Sequence, residues 1–151
     1  MSSIKPTIEY IEQFTVSGFS TRTKNSQEMD PKTAKIPSLW QQLYSSELIN
    51  NTSIFGVYAD YESDTNGLYT LTLGVSQEQE QKNLSRVTIA SGNYLVFKNH
   101  GPMPTVVIDT WKQIWHFFTV ETQYQRNFKS DFELYDAPDQ VAVYIGIQQP
   151  K

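Results

Sequence analysis

The chain contains no cysteine. It therefore has no disulfide framework, no thiolate nucleophile and no thiolate metal ligand. That usage fits a cytoplasmic protein. Histidine occurs only as His100 and His116, which without cysteine is too little for a typical zinc site; neither a metal nor a cofactor is expected. No apolar run approaches the roughly 20 residues that span a bilayer. The start, Met1-Ser2-Ser3-Ile4-Lys5-Pro6, lacks the apolar stretch of a secretion signal. No membrane partner is expected. Positive charge is also scarce: 12 Lys and Arg stand against 16 Asp and Glu, for a net charge of −4. Without a basic stripe, direct contact with nucleic acid is not expected. No phosphate-binding glycine loop and no nucleophile elbow is present, so no catalytic residue is assigned. The acidic group Asp60, Glu62 and Asp64 lacks the spacing of a calcium loop and reads as a solvated turn.

Aromatic residues are plentiful, with nine Tyr, eight Phe and three Trp. They can fill a small core or line a pocket, and their arrangement shows a duplication. Phe19 to Asn25 is followed by Leu39-Trp40-Gln41-Gln42-Leu43-Tyr44 and two strand-like runs, Ser53 to Tyr61 and Leu68 to Val75. Tyr94 to His100 is followed by Thr110-Trp111-Lys112-Gln113-Ile114-Trp115 and two more runs, Ser130 to Tyr135 and Gln140 to Gln148. Each half reads strand, helix, strand, strand. The expected fold is α+β: one domain over 1–151, built from β-α-β-β repeats at about 6–76 and 86–148. Each repeat would be marginal alone, so a shared core is expected, with a cleft at the pseudo-twofold junction. Ligand sites favour such junctions.

Local patterns support this order. Ile36, Leu39, Trp40, Leu43 and Tyr44 form the stripe of a core-facing helix, with Pro37 in its first turn. A second helix is predicted from about Thr105 to Phe118, with Thr105 as N-cap. Ile8 to Thr23 reads as one strand bent at Gly18, and Ala90-Ser91-Gly92 as a second bend. Asn66-Gly67 is a hairpin signal. Ser76 to Ser85, rich in Gln and Glu, is the join between halves, and Glu121 to Lys129 reads as a loop. Val141, Val143, Ile145 and Ile147 form an apolar strand face opposite Ala142, Tyr144 and Gly146.

Phe55-Gly56-Val57-Tyr58, Tyr69 to Gly74, Gly92 to Phe97, the Trp111 to Trp115 helix, Asp131-Phe132-Glu133-Leu134-Tyr135 and Val143 to Ile147 together resemble the GyrI-like, SOUL-type effector-binding domains. Those domains serve AraC-type and MerR-type regulators and also occur as standalone proteins. The resemblance covers nearly the whole chain. It implies a central antiparallel sheet with the two helices packed on it, a standalone domain without a DNA-reading helix-turn-helix, and an aromatic cleft holding an acidic residue that pairs with lipophilic cations. The matching position is Glu133.

Strand alternation by itself gives a different reading of that residue: Phe132 and Leu134 face the core, and Glu133 faces water with Asp131 and Tyr135. The resemblance turns Glu133 into the cleft. Tyr58, Tyr144, Trp111, Trp115, Tyr44 and Trp40 are the candidate cleft aromatics. For the helical Trp residues, a place in the core is the plainer alternative. The expected function is reversible binding of a hydrophobic, cationic or amphipathic small molecule, as a sensor, a sequestering module or a partner of a separate regulator. Two alternatives stand beside it. One is hydrolysis of reactive small molecules, with Glu133 as base and Tyr58 or Tyr144 as donor. The other is a protein-binding role like that of gyrase inhibitors, or a homodimer through exposed strand edges.

Overall fold

The structure is a computed structural model that describes residues 4–50, 53–63, 66–76, 84–120 and 123–148. The predicted join lies largely outside these residues, as do Asn51 and, in the first hairpin, Asp64 and Thr65. The elements run β1 (Thr7–Ile11), β2 (Phe14–Thr23), a short α1 (Asn25–Glu28), α2 (Ile36–Tyr44), a 3-10 turn (Glu47–Asn50), β3 (Ile54–Ala59) and β4 (Tyr69–Ser76). They continue with β5 (Ser85–Ile89), β6 (Gly92–His100), α3 (Thr105–Val120), β7 (Arg126–Ala137) and β8 (Gln140–Ile147). All strands pair antiparallel in one eight-stranded sheet of order β1-β6-β8-β7-β3-β4-β2-β5. Each half supplies β-α-β-β, and the halves meet at the β3–β7 pair.

The first and fifth strands are exchanged between the halves. β1 pairs with β6, and β5 pairs with β2. Thr7↔Val96 to Ile11↔Gly92 and Phe14↔Ile89 to Gly18↔Ser85 are a single register interrupted by a shared bend. β1–β2 and β5–β6 are thus two bent strands lying along each other, and the sheet closes on itself. The first bend falls at Glu12-Gln13 rather than at Gly18. Gly18 meets a different need: it faces Gly74 across the ladder, and a Cβ on it would sit 1.9 Å from the Leu73 carbonyl oxygen. The second bend is at Ala90-Ser91-Gly92, where Gly92 takes φ +150.

Burial follows this closure. Inside the ring, Val16, Val57, Ile89, Tyr94 and Phe132 form one cluster, with Phe14, Phe55 and Tyr144 packed against it. On the outer face, α2 brings Leu39 and Leu43 onto Leu71, Leu73 and Val75 of β4. α3 brings Val106 and Ile114 onto Leu95, Phe97, Val143 and Ile145 of β6 and β8. α3 begins with Thr105 already helical, one position earlier than a capping role requires, and ends at Val120. β7 starts at Arg126, so half of the predicted polar loop is strand. Its irregular stretch between Arg126 and Asp131 contains Phe128 at φ 54, a left-handed conformation uncommon for an aromatic residue. Among the described residues, no helix is long and apolar enough to cross a membrane.

Candidate functional site

β7 is a central strand covered on both faces. Phe132 points into the ring and Glu133 points toward the helices, and each is 2% exposed. Alternation correctly separates the two side chains. It misassigns Glu133 to water because it assumes that one face of the strand is solvated. The register places Glu133 opposite Gly56, and a Cβ on Gly56 would lie 2.9 Å from Glu133 Oε1. Gly56 therefore makes room for the carboxylate.

Three neutral donors converge on Glu133. Trp111 Nε1–H of α3 donates to Oε2 at 2.6 Å, Tyr58 O–H of β3 donates to the same oxygen at 2.8 Å, and Tyr135 O–H of β7 donates to Oε1 at 2.6 Å. Burial pushes the Glu133 pKa above its ordinary value, while the bonds from Tyr135, Trp111 and Tyr58 pull it back. Burial, followed by the nearby Glu133 charge, raises Tyr58 and Tyr135 well above the ordinary phenol range. Both hydroxyls are thereby kept as donors.

Aromatic rings extend from this centre toward both helices. The Trp40 ring of α2 meets Tyr135 edge-on at 5.2 Å, and Tyr44 lies 5.8 Å beyond Trp40. Tyr58 packs against Trp111 at 5.2 Å, and Trp115 follows Trp111 at 6.1 Å. The structure thus brings Glu133, Tyr58 and Trp111 into contact, and links Trp40 and Trp115 to them through one intervening ring each. Tyr44 is at the margin, 61% exposed.

Tyr144 does not join this group. It pairs with Phe132 and stacks on it at 4.3 Å, on the face opposite Glu133. The reason is strand parity: Val143 is the β8 partner of Glu133, so Tyr144, the next residue, points the other way. A donor role for Tyr144 beside Glu133 is excluded by the same geometry. Sequence reasoning passed over Tyr135 and Gly56. Tyr135 carried a usable signal, being two residues from Glu133 on the same strand face. Gly56 becomes legible only through the cross-strand register.

A second buried carboxylate lies on the same face. Asp131 is 0% exposed; its Oδ1 accepts Gly146 N–H at 2.8 Å, and its Oδ2 accepts Arg126 Nη2–H at 2.6 Å and the Tyr61 hydroxyl. Tyr61 reaches this face because Asp60, at φ 53, breaks the alternation of β3. The Arg126 guanidinium lies 4.5 Å from the Phe128 ring centre. Burial opposes its charge, but Asp131 and Tyr61 outweigh burial and raise its pKa. Among the described residues, no group of three or more acidic or histidine side chains could hold a metal.

The fold has counterparts among solved structures. The integron cassette protein VCH_CASS2, from the mobile metagenome of Vibrio cholerae, superposes with a TM-score of 0.86 at 33% identity, over 95% of both chains. The structure of SAV2435 bound to tetraphenylphosphonium superposes at 0.76 with 16% identity, over 96% of this chain and 94% of that one. The C-terminal domain of EcmrR gives 0.57 at 12% identity, over 97% and 98%. At those two lower identities the likeness shows the fold alone. YobU of Bacillus subtilis (strain 168), described provisionally as a transcriptional regulator protein, is 32% identical over 94% of this chain and 97% of its own length. Residues 7–147 match the family described as Cass2, integron-associated effector binding protein. The chain therefore belongs to the Cass2 family of integron-associated effector-binding proteins, within the GyrI-like effector-binding fold.

Proposed function

We propose that the chain reversibly binds a bulky hydrophobic cation between α2 and α3, with Glu133 as its counter-charge. The observation that carries this reading is a buried carboxylate whose hydrogen-bond partners among the described residues are all neutral. A buried carboxylate without a cation is held at a desolvation penalty, and a bound cation relieves it. The faces of Trp111, Tyr58, Trp40 and Tyr135 add cation–π attraction of roughly 0.5–2 kcal/mol. Apolar walls read size and shape, so selectivity is loose. The tetraphenylphosphonium complex of SAV2435 supports a lipophilic cation as the first ligand to test. The biological role is that of a sensor or sequestering module, or of a partner to a separate regulator.

Calorimetric titration with tetraphenylphosphonium and with neutral triphenylphosphine oxide tests this, on wild type and Glu133→Gln. The cation is expected to bind wild type and to lose about 30-fold or more in affinity in the variant, as for removal of one member of a buried charge pair. Equal binding of cation and neutral analogue, or an unchanged affinity in Glu133→Gln, overturns the reading. Recovery of the ligand unchanged separates binding from hydrolysis.

A further inference from the structure

The face of the sheet turned away from the helices carries a groove that the Glu133 site does not use. A cavity of about 370 Å3 there has Lys98, His100, Leu134, Asp136, Ala142 and Tyr144 among its walls. Lys98 pairs with Ala142, and Ala142 with Leu134, so these three residues lie abreast across β6, β8 and β7. The small Ala142 forms a low floor between taller neighbours. Tyr144, stacked on Phe132, closes the inner end. Lys98 stands on one rim and Asp136 on the other, separated by two strand spacings, or about 10 Å.

Opposite charges at that spacing do not neutralise each other directly. Among the described residues, neither side chain has an ion-pair or hydrogen-bond partner. The other half of the molecule offers an instructive contrast. There Arg22, on the corresponding face of β2, donates to the Asp60 carbonyl oxygen at 2.8 Å and to Thr70 Oγ1 at 3.0 Å. It lies down on the sheet, and its charge is engaged within the chain. The Lys98 side is left open.

We propose that this groove is a second small-molecule site, for a zwitterion with an apolar middle. Its carboxylate meets Lys98, its ammonium meets Asp136, and its apolar section lies over Leu134, Ala142 and Tyr144. A ligand with a single charge satisfies one rim and leaves the other unmatched. The site is independent of the Glu133 reading, because the sheet separates the two.

The test is an amide NMR titration with ε-aminocaproate, with caproate and hexylamine as single-charge comparators. Saturable shifts are expected at the amides of Lys98, Leu134, Ala142 and Tyr144, with affinity on the order of millimolar for an open groove. Each comparator, and each of the variants Lys98→Met and Asp136→Asn, is expected to weaken binding about threefold, as befits exposed charge contacts. Absence of saturable shifts overturns the proposal, as does equal affinity for hexylamine and the zwitterion. Shifts centred on Tyr58 and Trp111 instead would assign the ligand to the helix face and also overturn it.

Discussion

Asp131 and Glu133 leave the same strand on the same face, two residues apart, and both are buried. Asp131 already holds a cation of its own chain: Arg126 donates to it at 2.6 Å, beside the Phe128 ring and with Tyr61 as a further donor. Glu133 has an equally aromatic setting but, among the described residues, only Trp111, Tyr58 and Tyr135 as donors. A carboxylate with an internal counter-ion ties strands together, here β7 to β8 through Gly146 and to the end of β3 through Tyr61. A carboxylate given neutral donors keeps its charge unmatched, which is what a receptor for an outside cation requires. On the function proposed above, one constellation, acid plus aromatic rings, serves structure or recognition according to whether the cation is built in.

The contrast can be broken most directly by unfolding experiments. Asp131→Asn leaves a buried guanidinium without its counter-charge and is expected to cost about 3–5 kcal/mol in urea denaturation. Glu133→Gln, which strands no charge, is expected to cost about 1 kcal/mol or less. Equal losses would mean that both acids are structural. Gly56→Ala sharpens the comparison from the other side. Its methyl would fall 2.9 Å from Glu133 Oε1 and 3.2 Å from Leu73 Cδ2. It is expected to destabilise by about 1–3 kcal/mol and to weaken cation binding. Full retention of binding would show that the carboxylate's position is not critical.

Smaller effects follow from the donors and from protons. Trp111→Phe keeps a ring but removes one bond to a charged group, at a cost of about 1.5 kcal/mol. Because that bond holds the Glu133 pKa down, carbon-detected titration of the carboxyl should show it rising in the variant. A fall would contradict the assigned geometry. Finally, Glu133 titrates above its ordinary value of 4.5 in the folded chain. Between the two values the folded chain holds the proton more tightly. The stabilising contribution of the group is therefore complete below the ordinary value and is lost as pH rises through the folded one. The stability difference between wild type and Glu133→Gln should fall across that window. A flat difference would show that burial does not shift the group.

Much of this was readable along the chain wherever the controlling interaction was local. The helical stripe from Ile36 to Leu43, the bend at Ala90-Ser91-Gly92 and the alternation of Val141 to Ile147 all appear in the structure, because 3.6- and 2-residue periods report which side of an element is buried; Tyr44, the last member of the predicted stripe, is exposed instead. The polar stretch at Arg126–Lys129 misled, since Arg126 is polar yet buried by its ion pair with Asp131, and Phe128 takes a left-handed backbone. Glu133 could be placed in a cleft only by family resemblance, because alternation cannot tell a solvated strand face from one covered by helices.

The sequence by itself determined the duplicated order of elements, the α+β class, the absence of thiol chemistry and the residue types that could meet a cation. Only the tertiary structure decided which of those residues meet. The exchange of β1 and β5 closes the sheet, the β3–β7 register sets Gly56 against Glu133, and the parity of β8 sends Tyr144 to the opposite face. These outcomes depend on pairings between residues as far as 89 positions apart, as in Thr7↔Val96. No local period encodes such pairings, since they arise from burying both halves in one shared core.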